Sequence, residues 1–264
     1  MKINFNSDYL HLHTAAFLYI AAMQIPRIYI TSGEDADVVI NIDSIQKTGL
    51  KRGKVTVYYE HDDVMHRGKN SQWYDVDLLY TTSPHVLSYY PPKTKNLFAA
   101  MEPSLHFHWD ELPDLYELGF IGQERDIPAY QYRRQIIPLL AKKFTMMRGQ
   151  CQPQDYYKLL SQVKIPVNVM PQEDNLPLVN MRFYESIAVG CLLNDYHPIL
   201  DEIAEEGIHY VGFTSPEESI AKARFYLDRD DLRKKIAKEG RIHMLAHHTW
   251  KHRLLQIMKD VEAL

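Results

Sequence analysis

The segment 178–194, LVNMRFYESIAVGCLLN, decides the fold class, because it places a helix pattern directly before a short apolar strand pattern. It predicts a helix over 178–189 and a strand over 191–194. The alternation extends towards the N-terminus, with strands expected at 119–122, 144–147 and 167–170 and helices at 128–143 and 155–164. Such a βαβ series is typical of a doubly wound parallel sheet.

The first hundred residues contain a second series of strand-like runs. They are short, β-branched and apolar on both faces, which suits a parallel sheet covered by helices on each side. The runs are 2–6, 27–31, 38–42, 55–59, 78–82 and 96–100, and the clearest helix pattern among them is 11–23.

Two Rossmann-like α/β domains are therefore expected. We predict an N-terminal domain over 1–105, a linker over 106–118, where prolines and acids interrupt any period, and a C-terminal domain over 119–264 with a helical tail. Gly240 is expected to break that tail into separate helices. Two such units favour a ligand in the crevice between them, at the carboxyl ends of the strands.

The composition of the chain argues against nucleic-acid-binding and membrane-spanning proteins. Hydrophobic content of 45% and charged content of 24% are ordinary for a globular protein. The net charge of −4, with mixed signs throughout, does not favour a nucleic-acid partner. The apolar stretch 14–23 is about half the length of a membrane span. With no signal peptide and only Cys151 and Cys191, we expect a cytoplasmic protein without a membrane span.

The predicted helix carries the residues that point to chemistry. Arg182 lies three residues before Glu185 and four before Ser186, so all three share one face near the helix N-terminus. Unpaired N–H groups favour an anion there, and Arg182 could add a bidentate donor for phosphate. Glu185 could accept both hydroxyls of a ribose. The alternative is an intrahelical Arg–Glu pair on a solvated face.

This helix resembles the nucleotide-binding motif of group 1 glycosyltransferases, particularly the CgeB-like branch, where an R-x-x-E-x-x-A-x-G helix precedes an apolar strand ending in Asp. GFIG at 119–122 and the His-Thr-x-x-x-Arg pattern within 231–254 resemble the same branch. The resemblance implies a GT-B fold, with a nucleoside diphosphate sugar held mainly by the C-terminal domain and an acceptor held mainly by the N-terminal domain.

The same resemblance assigns the diphosphate to Arg182 and the ribose to Glu185. We add four candidate donor contacts: Asn180, Ser186, Gly122 and Arg148. Arg133 and Arg134 are alternatives to Arg148 for stabilising the leaving group. Wider relatives often carry another Glu where this chain has Pro177, so Asn180, Asn175 or Glu173 could take its place.

Candidates for the acceptor side follow strands of the N-terminal half. Glu60, His61 and Asp62 are candidate catalytic residues, because either His61 or Asp62 could orient or deprotonate a hydroxyl. Asp63, Asp43 and His85 are candidate acceptor contacts. The alternatives are a surface loop in which Asp62 and Asp63 cap the next helix, and a helix that begins at His85.

A metal or a further cofactor is not expected. The Asp62–Asp63 pair invites Mg²⁺, but GT-B enzymes usually stabilise the leaving diphosphate with helix dipoles and basic side chains. The histidines at 243, 247, 248 and 252 are expected to pack or cap. The sequence has neither the P-loop nor the dinucleotide-binding glycine pattern.

These observations predict a glycosyltransferase that moves a sugar from a nucleoside diphosphate sugar to a hydroxyl of a protein, polymer, small molecule or modified DNA. Retention or inversion stays open. The alternatives are a nucleotide-sugar binding protein that has lost catalysis and an epimerase-like enzyme that acts on the nucleotide-sugar itself.

Overall fold

The chain folds into two compact α/β units, each built on a parallel sheet. The computed structural model describes residues 1–7, 13–33, 35–42, 49–60, 75–82, 84–105, 107–108, 110–151, 155–173 and 176–264. Unit 1 contains Met1–Ala99 and Trp250–Leu264, and unit 2 contains Ala100–Thr249. The predicted fold class is confirmed for both halves of the chain.

Unit 1 has the strand order β2-β1-β3-β4-β5-β6, with every neighbouring pair parallel. Its elements are β1 (Lys2–Asn6), α1 (His13–Met23), β2 (Tyr29–Ile30), β3 (Val38–Ile42), β4 (Val55–Glu60), β5 (Leu78–Thr81), a 3-10 helix (Pro84–Tyr89) and β6 (Thr94–Asn96). β3 is buried along its whole length, as expected for a central strand covered on both faces. The strand expected at 96–100 lies earlier. Leu97 and Ala99 are buried beyond it, so apolarity there indicated burial rather than strand pairing.

Unit 2 has the strand order β13-β12-β9-β7-β8, again all parallel. Its strands are β7 (Tyr116–Ile121), β8 (Met146–Gly149), β9 (Val163–Asn168), β12 (Leu193–Asp195) and β13 (Val211–Phe213), with a short antiparallel pair, β10 (Gln172–Glu173) and β11 (Leu176–Pro177). Its helices are α2 (Gln131–Ala141), α3 (Tyr156–Leu160), α4 (Met181–Val189), α5 (Pro216–Leu227) and α6 (Asp230–His247), with 3-10 turns at Pro128–Tyr130 and Pro198–Glu202. The helix predicted over 155–164 is shorter, because Val163 and Ile165 are β-branched residues of β9.

Gly240 does not break the helical tail, contrary to the expectation from sequence. It lies inside α6, where an added Cβ would stand 2.4 Å from the carbonyl oxygen of His209 and 2.7 Å from Cγ2 of Ile187. Glycine is required there because α6 packs closely against both the main chain at His209 and the side chain of Ile187 in α4. Nη1 of Arg241 also donates to the carbonyl oxygen of Ala188, at 2.8 Å. α6 thereby holds the C-terminal turn of α4 in place.

The last helix, α7 (Trp250–Glu262), belongs to unit 1, whereas the predicted boundaries place it in the C-terminal domain. Trp250 is fully buried, with its ring 6.2 Å from Phe17 and 6.3 Å from Tyr59. Tyr80 Oη donates to Oδ2 of Asp260 at 2.6 Å. An amphipathic helix pattern shows that one face is buried, but not which domain covers it.

Unit 2 also begins earlier than predicted, at Ala100 instead of residue 119. Residues 106–118 contain the first part of β7, so they are not a linker without structure. None of the helices in the described ranges combines the length and apolarity that a bilayer span requires.

Candidate functional site

The carboxyl ends of the parallel strands form one edge of the unit 2 sheet, and the strand order reverses between β7 and β9. β7 and β9 are neighbours, and the chain runs from β7 to β8 on one side but from β9 towards β12 on the other, so the connections diverge between them. In open α/β sheets, ligands bind at such switch points. Two arginines bond the main chain at this edge: Arg182 from α4 holds the last residue of β7, and Arg133 from α2 holds the loop after it.

Arg133 is a buried clamp. Its Nε and Nη2 donate to the carbonyl oxygen of Val169 at 2.9 and 2.7 Å, and its Nη1 donates to that of Gln123 at 2.8 Å. Its guanidinium lies 4.2 Å from the ring centroid of Tyr130. Burial, assisted by the charge of Arg182, lowers the pKa of Arg133 to about 10. Since all three nitrogens serve main-chain carbonyls, Arg133 joins two loops and is not placed to bind a leaving diphosphate.

Arg182 reaches the end of β7, but only one nitrogen of its guanidinium forms a hydrogen bond there. Nε donates to the carbonyl oxygen of Ile121 at 2.9 Å. Across the described ranges, neither terminal nitrogen has a hydrogen bond or ion pair, and none joins Arg182 to Glu185. The alternative of an intrahelical Arg–Glu pair is therefore wrong. Arg182 is instead a half-buried residue in the first turn of α4, and the two terminal nitrogens of its guanidinium stay unengaged in the described part of the chain.

Gly122 permits this position of Arg182. An added Cβ would stand 3.2 Å from both Cζ and Nε of Arg182 and 2.8 Å from Cζ of Phe120. The N–H of Gly122 donates to the carbonyl oxygen of Gly149 at 2.7 Å, which ties the loop to the end of β8. A side chain at residue 122 would push Arg182 away from Ile121.

Glu185 and Ser186 lie on the buried face of α4, against α3. Tyr157 Oη donates to Oε1 of Glu185 at 3.0 Å, and Tyr156 Oη lies 3.3 Å from Oγ of Ser186. Burial raises the pKa of Glu185 to about 7, against the opposing effects of the Arg182 charge and the Tyr157 hydrogen bond. The Glu185 carboxyl therefore changes charge near neutral pH.

Asn180 stands at the N-cap position of α4, is partly exposed, and continues a row of amides that includes the buried Asn168 and Asn194. Its Oδ1 accepts from Nδ2 of Asn168 at 3.2 Å, and the same Nδ2 donates to Oδ1 of Asn194 at 2.7 Å. Asp195 accepts from the N–H of Met170 at 2.8 Å. Burial raises the pKa of Asp195 to about 7, although this hydrogen bond opposes the shift. These side chains connect the ends of β9 and β12 to the start of α4.

Two further arginines considered from sequence have carboxylate partners. Nε and Nη2 of Arg148 donate to the two carboxylate oxygens of Glu124 at 2.7 and 2.6 Å. Arg134 forms an ion pair with Asp126. A phosphate would have to compete with these carboxylates, so the donor role of Arg148 stays a prediction, and Arg182 is better placed for it.

The candidates of the N-terminal half are only partly described. Glu60 is the last residue of β4 and is fully buried. The other candidates lie outside the described residues, or their side chains do: His61, Asp62, Asp63, Asp43, Asn175, His85 and Glu173. The structure therefore leaves the acceptor-side predictions as they stand.

Three of the four C-terminal histidines, His243, His247 and His248, pack together at the end of α6. The rings of His209 and His243 stack with centroids 4.1 Å apart, and Nε2 of His243 bonds the carbonyl oxygen of Ile203 at 2.7 Å. His247 and His248 have their ring centroids 4.9 and 5.3 Å from that of His243. In the part of the chain that the structure describes, no three His, Cys, Asp or Glu side chains are grouped to hold a metal ion.

Sequence reasoning missed several residues that shape this edge: Tyr157, Tyr156, Asn168, Asn194 and Asp195. Asn168 and Asp195 end β9 and β12, so their strand-end positions were the available signal. Tyr157 gave none, because its role depends on α3 packing against α4.

Comparison with known proteins indicates the functional class to which this site corresponds. Residues 131–259, just under half of the chain, match the model of the family described as glycosyl transferase-like. The matched segment includes α4 and the closing His-Thr-x-x-x-Arg pattern. A comparison with curated protein sequences finds no significant match.

Solved structures of glycosyltransferases share the fold at low identity. Anabaena Alr3699/HepE, in complex with UDP and glucose, matches with a TM-score of 0.68 and 11% identity over 100% of both chains. The DNA-modifying enzyme β-glucosyltransferase matches with a TM-score of 0.67 and 12% identity over 100% of both chains. Sucrose-phosphate synthase from Thermosynechococcus elongatus matches with a TM-score of 0.57 and 12% identity over 86% of this chain and 73% of that chain. The prediction of a glycosyltransferase with two Rossmann-like domains is confirmed, by the family match for its class and by these structures for its GT-B fold.

Proposed function

We propose that unit 2 binds the diphosphate of a nucleoside diphosphate sugar at the N-terminus of α4, and that the protein transfers the sugar to a hydroxyl acceptor. The observation that carries this proposal is Arg182, held through Nε by Ile121 while its terminal nitrogens have no partner among the described residues. A guanidinium fixed on one side offers a bidentate donor to phosphate. The start of a helix adds N–H groups and a positive dipole end.

The ribose is proposed to bind Glu185, one turn further along α4. The bond from Tyr157 fixes one carboxylate oxygen, and the raised pKa means that the carboxylate forms fully only above pH 7. An ionised carboxylate can accept from both ribose hydroxyls. Solved structures of the same fold are described with UDP and UDP-glucose, so a uridine diphosphate sugar is the first donor to test.

The proposed reaction requires that the negative charge developing on the leaving diphosphate be stabilised. Breaking the bond between the anomeric carbon and the diphosphate leaves negative charge on the leaving group. The acceptor oxygen forms the new bond to that carbon and gives its proton to a general base, for which His61 or Asp62 is proposed. Arg182 and the N-terminus of α4 would stabilise that charge. We accordingly propose a reaction without a metal or a cofactor beyond the donor. We also keep Glu60, His61 and Asp62 as the proposed acceptor-side residues of unit 1.

Two finer proposals rest on the sequence. The R-x-x-E-x-x-A-x-G helix and the closing His-Thr-x-x-x-Arg pattern support membership of the CgeB-like branch. The cysteine usage supports a cytoplasmic location, since Cys151 and Cys191 are both free thiols.

The test is donor binding and turnover with a matched pair of arginine variants. UDP-, GDP-, ADP- and TDP-sugars are titrated by calorimetry into wild type, Arg182→Ala and Arg224→Ala, and nucleotide release is followed with candidate hydroxyl acceptors. Arg224 is an exposed arginine on α5 and serves as the control. Losing a charge-assisted hydrogen bond should weaken donor binding about 10- to 100-fold in Arg182→Ala only.

Each outcome has a distinct meaning. Binding with nucleotide release, both lost in Arg182→Ala, supports a transferase. Binding without release to any acceptor favours a nucleotide-sugar binding protein, and conversion of the donor without an acceptor favours an epimerase-like enzyme. Equal donor affinity in all three proteins rejects this edge of unit 2 as the donor site.

A further inference from the structure

The N-terminus of α4 is left uncapped although a capping residue stands at its start. Asn180 has the extended backbone of an N-cap, with φ −85° and ψ 164°, and asparagine is among the preferred residues there. Its side chain nevertheless accepts no hydrogen bond from the helix. Among the described residues, nothing accepts from the N–H of Met181 or Arg182.

The neighbouring helix α5 shows that this fold can close a helix start. Oγ of Ser215 accepts from the N–H of Glu218 at 3.1 Å, and the Glu218 carboxylate accepts from the N–H of Thr214 at 2.7 Å. Both helices belong to unit 2, yet only in α5 does the N-cap side chain accept a hydrogen bond from a helix N–H. The open start of α4 thus has a local cause.

That cause is Asn168, at the end of β9. Its Nδ2 donates to Oδ1 of Asn180, the atom that would otherwise cap α4, and Asn180 Nδ2 donates back at 3.4 Å. Asn168 is fully buried and held in turn by Asn194 of β12, which is also fully buried. The carboxamide of Asn180 is therefore held against the sheet and away from its own helix.

We propose that Asn168 is a positioning residue that keeps the N–H groups at the start of α4 open for the diphosphate, by holding the Asn180 carboxamide away from the cap position. This inference rests on the proposed donor site. It makes Asn168 act on phosphate binding without touching the ligand. It also means that the fold forgoes the stabilisation of one helix cap at this position.

The first experiment removes the hydrogen bond by which Asn168 holds the Asn180 side chain. Binding of UDP, GDP and ADP and of the parent nucleosides is measured by calorimetry for wild type, Asn168→Ala, Asn180→Ala and the double variant. Asn168→Ala should weaken diphosphate binding about fivefold, the factor that corresponds to one side-chain cap, and leave nucleoside binding unchanged. In the Asn180→Ala background the same change should have no effect, because no carboxamide is left to cap the helix.

The second arm leaves the buried amides in place, in case Asn168→Ala does not fold. Asn180→Ser introduces a good N-cap that is too short to pair with Asn168, whereas Asn180→Ala introduces none. The serine variant should bind the diphosphate about fivefold more weakly than the alanine variant and have the higher melting temperature. A structural role alone would move affinity and stability in the same direction.

The inference is overturned if Asn168→Ala weakens diphosphate and nucleoside equally, if its effect persists without Asn180, or if the serine and alanine variants bind the diphosphate alike. In each of these cases the proposed function stands, since wild type binds. If wild type binds none of UDP, GDP and ADP, the proposed function fails and this inference fails with it.

Discussion

Replacing Glu185 by glutamine is expected to stabilise the ligand-free protein at pH 8 but much less at pH 5. The side chain is 4% exposed, and burial raises its pKa from the ordinary 4.5 to about 7. Glutamine has the same shape as the protonated carboxyl and can still accept the bond from Tyr157. The substitution therefore removes the ionisation while keeping the contact.

The magnitude follows from proton linkage. A carboxyl whose pKa is higher in the folded than in the unfolded protein stabilises the fold while it is protonated. This stabilisation is complete below the unfolded-state pKa and is lost as pH rises through the folded-state pKa. At about 1.4 kcal/mol for each tenfold change in proton affinity, ionising Glu185 should destabilise the fold by roughly 3 kcal/mol at pH 8 and about 1 kcal/mol at pH 5. The difference of about 2 kcal/mol corresponds to roughly 4–8 °C in Tm for a domain of this size.

The assay compares urea unfolding and Tm of wild type and Glu185→Gln at pH 5, 6, 7 and 8. Glu202→Gln, the same substitution at an exposed glutamate, is the matched control. The gain of Glu185→Gln should grow between pH 5 and pH 7 and level off above it. A gain that is the same at every pH would refute the assignment of a buried, ionising carboxyl to this position.

Three further changes test the packing around the site and the two units. Trp250→Ala should destabilise unit 1 by about 3–5 kcal/mol in urea unfolding, because it empties a fully buried site, and an unchanged midpoint would contradict the placement of α7. Gly122→Ala should weaken diphosphate binding while Tm falls little, because the new Cβ displaces Arg182; undiminished binding would argue against Arg182 as the phosphate ligand. Ser215→Ala should cost about 1 kcal/mol, since the cap to Glu218 is lost, and a neutral result would show that this capping bond adds no stability.

Much of the candidate site could be predicted because its members sit close together in sequence. Arg182, Glu185 and Ser186 were placed on one helix near its N-terminus from spacing alone, and α4 contains all three. Spacing did not reveal that Glu185 is buried while Arg182 keeps two nitrogens without a partner in the described part of the chain. That difference depends on Tyr157 and Ile121, which approach α4 from other elements.

The sequence by itself determined the α/β class, most strand positions and the helix that carries the site, because periodicity and β-branched runs act over a few neighbouring residues. Only the tertiary structure decided that Arg133 clamps two loops, that Gly240 packs instead of breaking a helix, and that α7 joins unit 1. These outcomes rest on partners far apart in the chain: 36 residues for Arg133 and Val169, and 180 for Tyr80 and Asp260 of α7. Two arginines with the same chemistry thus differ in role because one meets carbonyl oxygens on every side, and the other meets only one.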